Sequence, residues 1–167
     1  GLTLKDTPKI VVPTGVAGLE FRDEAQTVNA LVPGLRAQGI EAIVVLIHEG
    51  GFPTGDYNEC PGISGPIVDI VKKLDKAVDL VVSGHTHRAY NCRIDGRLVT
   101  SGDKYGTVLT EIDLVLDPKT GDVLARLVLR QRGRQVLGGD HRADGRHLSR
   151  GEETRGDAGD EADDRQV

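Results

Sequence analysis

The chain has 167 residues and a formal net charge of −5, long enough for one domain with a core of its own. Its mild acidity argues against a general nucleic-acid or anionic-membrane surface, and no apolar run approaches the roughly 20 residues of a membrane-spanning helix. Tryptophan and methionine are absent and only 2 phenylalanines occur, so the core must be built from Val, Leu and Ile.

A chain with no methionine does not open at its own start codon, and its first residues do not read as a basic-then-apolar signal peptide. The first segment, GLTLKDTPKIVVP, reads as strand material from the outset. The expectation is a fragment entered in mid-domain. Asp23 is placed to cap a helix over EAQTVNALVPGLRAQG, where Val28, Leu31, Val32 and Leu35 recur at helical spacing and Gly39 marks the stop. Pro33-Gly34 in its middle predicts a kink or two shorter pieces. AIVVLIH follows, a continuous apolar run of the kind that forms a strand buried on both faces.

After a Gly/Pro-rich loop, SGPIVDIVKKLDKAV carries one apolar stripe through Ile67, Ile70, Val71, Leu74 and Val78. Ser64 is the expected cap, with Pro66 in the first turn. DLVVS is a second buried strand, so the order helix, strand, helix, strand predicts an α/β domain. Two hairpins come next: YNCRI and RLVTS flank Asp95-Gly96, and TVLTEIDLVLD and VLARLVL flank PKTGD. From residue 130 apolar content and periodicity disappear. All 7 lysines precede Arg130 and 8 arginines lie from Arg130 onward. Residues 1–129 are therefore assigned to the domain and 130–167 to a disordered or out-of-frame tail.

Five histidines occur, and three share one kind of setting. His48 ends AIVVLI, while His85 and His87 follow DLVVS. The C-terminal ends of buried strands are where open α/β sheets place their ligand crevices. Residues i and i+2 of an extended chain face the same way, so His85 and His87 are expected to address one ion or a close pair. Gly84 on one side and Gly50-Gly51 on the other leave room for backbone to approach. Neutral imidazoles suit Zn, Mn, Fe or Ni, and three of them with an open position would activate a water at neutral pH. A His-x-His pair alone is a weak signal; the matched strand ends strengthen it. His141 and His147 belong to the tail and are expected to be solvated. Asp103, in the Gly102-Asp103 step, is expected to be a turn residue, and Glu49 an exposed loop acid.

Gly84-His85-Thr86-His87 after DLVVS, preceded by His48-Glu49-Gly50-Gly51 after AIVVLI, resembles the last two motifs of the calcineurin-like metallophosphoesterases. The likeness is greatest to the bacterial secreted 5'-nucleotidase branch, the bifunctional nucleotidase and 2',3'-cyclic phosphodiesterase enzymes, and covers about residues 1 to 125. It implies a four-layer α/β/β/α sandwich, two divalent ions such as Zn or Mn per complete site, and a bridging hydroxide that attacks phosphorus. By motif match, His48 and His85 would bind one ion and His87 the other. The substrate implied is a nucleotide or another phosphomonoester, with neither nucleic acid nor a membrane span as partner. The parent is implied to be secreted, periplasmic or attached to the cell wall.

Three earlier motifs of that family (Asp-x-His, Gly-Asp, and Gly-Asn-His-Glu or -Asp) do not occur before His48. The bridging carboxylate and the histidine expected to protonate the leaving group are missing with them, so no catalytic residue is assigned here. The chain thus matches the C-terminal half of the catalytic domain, and inactivity in isolation is expected. Cys60 follows His48 and Cys92 follows His87; a secreted parent permits a disulfide between them, and two free thiols are the alternative. A cyclic-nucleotide phosphodiesterase, a general phosphatase of the same fold and a non-catalytic metal-binding module are the competing readings. Oligomeric state is not legible.

Overall fold

The computed structural model describes residues 1–133, with side chains through residue 124. The first 20 residues do not form the strand their apolar content suggests. Leu2 makes a single parallel bridge to Ile47, and two 3-10 turns follow at Thr7–Lys9 and Pro13–Val16. Each has proline at its start, and proline has no amide to give to a ladder. Ile10, Val12 and Leu19 are left exposed.

Helix α1 runs Glu24–Arg36, and the Asp23 side chain accepts from the Gln26 amide at 3.0 Å, as the N-cap reading requires. The expected break at Pro33 does not occur. Pro33 lies in the last turn, so its missing amide forfeits one bond near the helix end rather than splitting the helix. Gly39, with φ +76, follows the end.

Strand β1 (Ile43–Leu46) pairs in parallel with β2 (Val78–Ser83), which pairs in parallel with β4 (Arg97–Gly102), which pairs antiparallel with β3 (Ala89–Ile94). The spatial order is β1-β2-β4-β3. Strand β2, inside the sheet, is buried on both faces as expected. β1 is not: Ile43 and Val45 are buried, while Val44 and Leu46 are 42% and 55% exposed. It forms one edge of the sheet among the described residues, and helices cover only one of its faces.

Helix α2 is shorter than its apolar stripe, Pro66–Lys73, with Leu74 already extended. Its N-cap is Gly65 rather than Ser64, whose hydroxyl donates instead to the Phe52 carbonyl at 3.3 Å. Ile67 and Val71 are fully buried. With Ala25, Val28 and Val32 of α1 they pack over Val45, Val81, Val99 and Tyr90. Arg97, itself buried, donates to the carbonyls of Val71, Asp75 and Val78, which clamps the end of α2 to the start of β2.

The turn between β3 and β4 is the predicted two-residue one. Asp95 and Gly96 both have positive φ (51 and 76), the requirement of a turn whose twist matches its flanking strands. On the sheet face away from the helices, Leu80, Leu98 and Thr100 are also buried. The second hairpin, β5 (Val108–Leu116) with β6 (Val123–Gly133), forms a separate two-stranded sheet. It starts beside β4, and its half-buried Val108, Ile112 and Leu114 alternate with exposed neighbours. The α/β class is as read from the sequence: a helix layer, a mixed sheet and a second sheet. β6 continues to Gly133, past the boundary drawn at residue 129. Residues 134–167, with His141 and His147, lie outside the described residues.

Candidate metal centre

Because β1 and β2 are adjacent and parallel, with Leu46 opposite Val82, the loops that follow them leave the sheet on the same edge. His48 stands two residues past β1 and His85 two past β2. Their rings meet: His48 Nε2 lies 3.1 Å from His85 Nδ1, and the ring centroids are 4.9 Å apart at an interplanar angle of 65°. Sequence separation of 37 residues is thus reduced to one hydrogen bond.

The backbone beneath this contact is specialised. His85 has φ +66 and His87 φ +55, in a region that costs a residue with a side chain about 1–2 kcal/mol. The Thr86 amide donates to the Gly84 carbonyl at 2.7 Å, closing around His85 a γ-turn of the rare, positive-φ kind. Strain of this type persists only where neighbours over-determine it, and it concentrates at functional sites. The neighbours here are the other loop. Gly84 donates its amide to the Glu49 carbonyl at 3.1 Å, and Thr86 Oγ1 donates to the Gly51 carbonyl at 2.8 Å. Gly50 must be glycine, since a Cβ there would collide with the Gly84 carbonyl and with Thr86 Oγ1.

The turn changes one expectation. His85 and His87 are not i and i+2 of an extended chain, so the same-face argument for them fails. His87 is exposed, with its ring 5.8 Å from that of Tyr105, and only His48 and His85 are brought together. Glu49 is a second correction: it is buried, 7% exposed, because Oε1 turns back to accept its neighbour's Gly50 amide at 2.8 Å. Asp103, with φ +63, sits in the loop after β4, as a turn residue would. Cys60 and Cys92 are joined as a disulfide with Cα atoms 5.1 Å apart, which pins the long loop after His48 to β3.

Among the described residues, no group of three or more His, Cys, Asp or Glu side chains converges as a metal cage. Two imidazole nitrogens at 3.1 Å nonetheless match two adjacent ligands of one ion, since metal–nitrogen bonds of about 2.0–2.1 Å at tetrahedral or octahedral angles place ligand atoms roughly 3 Å apart. The pair therefore fits as part of a divalent-metal site. Tyr90 was missed in the sequence, although Tyr90, Cys92 and Ile94 alternate on the inward face of β3. Its hydroxyl lies 2.6 Å from Ser83 Oγ. Burial pushes the phenol's pKa up, the hydrogen bond with Ser83 and then the Gly51 backbone oppose that shift, and the nearby Glu49 carboxylate adds to it.

The described residues have the α/β fold of the calcineurin-like phosphoesterases. Among solved structures, sulfate thiohydrolase SoxB of Thermus thermophilus superposes with TM-score 0.60 at 22% identity, covering 80% of this chain and 21% of that one. A putative 5'-nucleotidase from Staphylococcus aureus gives TM-score 0.57 at 22% identity, over 75% of this chain and 25% of that one. The calcineurin-like phosphoesterase YfkN from Bacillus subtilis gives 0.50 at 23% identity, over 73% and 39%. Two curated relatives are each 29% identical across 75% of this chain: endonuclease YhcR of Bacillus subtilis and cell wall protein Lmo0130 of Listeria monocytogenes. The chain spans only 10% and 17% of their lengths. No family model matches.

Proposed function

We propose that this chain is part of the catalytic domain of a metal-dependent phosphoester hydrolase of the 5'-nucleotidase type, acting on nucleotides, with residues 1–129 forming the second half of that domain. The observation that carries the reading is the 3.1 Å approach of His48 Nε2 to His85 Nδ1 at the ends of two adjacent parallel strands. His48 and His85 would hold one divalent ion, Zn or Mn by ligand type, and His87 on the same turn would serve a second. Such ions would supply Lewis-acid polarisation of a phosphoryl group.

The two imidazoles have a proton to rearrange before they can do this. At 3.1 Å one ring nitrogen donates to the other, whereas a ligand nitrogen must present a lone pair. Both rings must therefore carry their protons on the outward nitrogens, His48 Nδ1 and His85 Nε2, when the inner pair faces an ion. Secretion or attachment to a cell wall is part of the proposal, supported by the Cys60–Cys92 disulfide and by the likeness to a cell wall protein.

Calorimetric titration of the chain with zinc chloride tests the site. Binding by the wild type, weakened at least tenfold in both His48→Ala and His85→Ala, is expected; unchanged affinity in either variant would overturn the ligand assignment. Phosphate release from AMP by this chain alone is not expected, because an ion needs three or more protein donors to be held for hydrolysis and the described residues bring two together. Measured metal-dependent release would refute the half-domain reading.

A further inference from the structure

We propose that Thr86 is a positioning residue: its hydroxyl pins the strained turn that carries His85 and His87 to the loop after His48, and so sets the separation of the His48 and His85 imidazoles. Its functional weight rests on reading those histidines as ligands; the geometry stands without that reading.

The turn is held to the other loop at two points. Ahead of His85, the Gly84 amide donates to the Glu49 carbonyl at 3.1 Å. Behind it, Thr86 Oγ1 donates to the Gly51 carbonyl at 2.8 Å. His85, with φ +66, stands between these two bonds, and His87, with φ +55, directly follows the second. A left-handed backbone is unfavourable for a residue with a side chain, so a turn released on one side relaxes toward ordinary angles. The bond from the Thr86 amide to the Gly84 carbonyl lies inside the turn and ties it to nothing else. Among the described residues, the Thr86 hydroxyl supplies the bond that holds the far side of His85 to the other loop.

The receiving end of that bond is itself anchored. Gly51 is buried between Gly50, whose carbonyl accepts from the Ile67 amide of α2 at 3.3 Å, and Phe52, whose amide donates to the Ser64 carbonyl at 2.9 Å. Gly50 also leaves open the space that Thr86 occupies: a Cβ on Gly50 would lie 2.5 Å from Thr86 Oγ1 and 3.1 Å from its Cγ2. The threonine side chain therefore has a seat against bare backbone, from which its hydroxyl reaches Gly51. His85 meets His48 through Nδ1, the ring nitrogen nearest its own backbone. Only the torsions χ1 and χ2 lie between that nitrogen and the chain, and both are confined to discrete or narrow wells. A shift of the turn thus passes directly into the 3.1 Å separation from His48 Nε2.

The test is Thr86→Val in the 167-residue chain, which keeps the shape and removes the donor, read by nitrogen-15 imidazole spectra of the metal-free protein at pH 8. Wild-type spectra should show His48 and His85 each held in one tautomer by the bond between them. Thr86→Val, and the smaller Thr86→Ala, should average both rings toward free-imidazole values and weaken zinc binding about 10–100-fold. Thr86→Ser keeps the hydroxyl and should keep the wild-type pattern. Val32→Ala, a core change in α1 away from the loops, should lower the melting temperature and leave the tautomers fixed. Retention of the wild-type pattern in either Thr86→Val or Thr86→Ala would overturn the proposal. So would its loss in Thr86→Ser, which would assign the effect to side-chain bulk, or in Val32→Ala, which would reduce Thr86 to general stability. If the wild type binds no zinc but Thr86→Val still releases the tautomers, the positioning role holds and the metal reading falls.

Discussion

Gly50→Ala gives the sharpest test of how the two histidine loops interlock. An alanine Cβ at this position would sit 2.5 Å from Thr86 Oγ1 and closer still to the Gly84 carbonyl, whereas real Cβ contacts do not fall below 3.0 Å. The loops must therefore part by half an ångström or more, and two hydrogen bonds span the gap: Gly84 N to Glu49 O at 3.1 Å and Thr86 Oγ1 to Gly51 O at 2.8 Å. Losing one such bond costs about 0.5–1.5 kcal/mol, and a carbonyl left buried without a partner about 1–3. A destabilisation of about 2–4 kcal/mol follows, which for a domain of this size lowers Tm by roughly 8–16 °C. Urea unfolding followed by far-UV circular dichroism measures it. The control is Gly34→Ala, where the added Cβ meets nothing within 4 Å inside α1 and should stabilise by about 0.5–1 kcal/mol. A Gly50→Ala protein within about 0.5 kcal/mol of wild type would refute the interlock, since that is the range of an inconsequential surface change.

Cys60→Ser should cost about 3–4 kcal/mol, because the disulfide closes a loop of sequence separation 32; alkylation of the native protein without reductant would show that the bridge is absent. Asp23 caps α1, and the hydrogen bond from the Gln26 amide holds its carboxyl below the usual value of 3.8. A depressed carboxylate contributes stability above its unfolded pKa and loses it as pH falls through the folded one. Asp23→Ala should therefore cost about 1 kcal/mol at pH 7, and the Tm gap to wild type should narrow by pH 3; a gap that is constant with pH would contradict the cap.

The candidate site was partly legible because its residues stand at local landmarks. A histidine after AIVVLI and another after DLVVS mark strand ends whatever the tertiary arrangement. Glu49 and Tyr90 were not legible in the same way. A glutamate between histidine and glycine looks like a loop acid, and only the return of its carboxylate onto the Gly50 amide reveals that it is buried. Tyr90 occupies an inward strand position like any core aromatic, and only the fold shows its hydroxyl meeting a serine seven residues away. Pro33 misled in the opposite direction. A proline in a helical pattern signals a break, but here it falls near enough to the C-terminus to forfeit one bond only.

What the amino-acid order determined by itself is periodic or near-neighbour in kind. Asp23 caps α1, Ile67 and Val71 share the buried stripe of α2, the Asp95-Gly96 turn takes two positive φ angles, and β2 is apolar enough to lie inside a sheet. Tertiary structure decided the rest. β1 has the composition of a doubly buried strand, yet among the described residues no layer covers its Val44 and Leu46 face. His85 and His87 are two residues apart, yet the positive-φ backbone between Gly84 and Arg88 separates their surroundings, while His48, 37 residues from His85 in sequence, becomes its hydrogen-bond partner. A residue's period tells which way it faces its own element. Strand order and the close packing of loops, set by pairings across the whole domain, tell what it meets there.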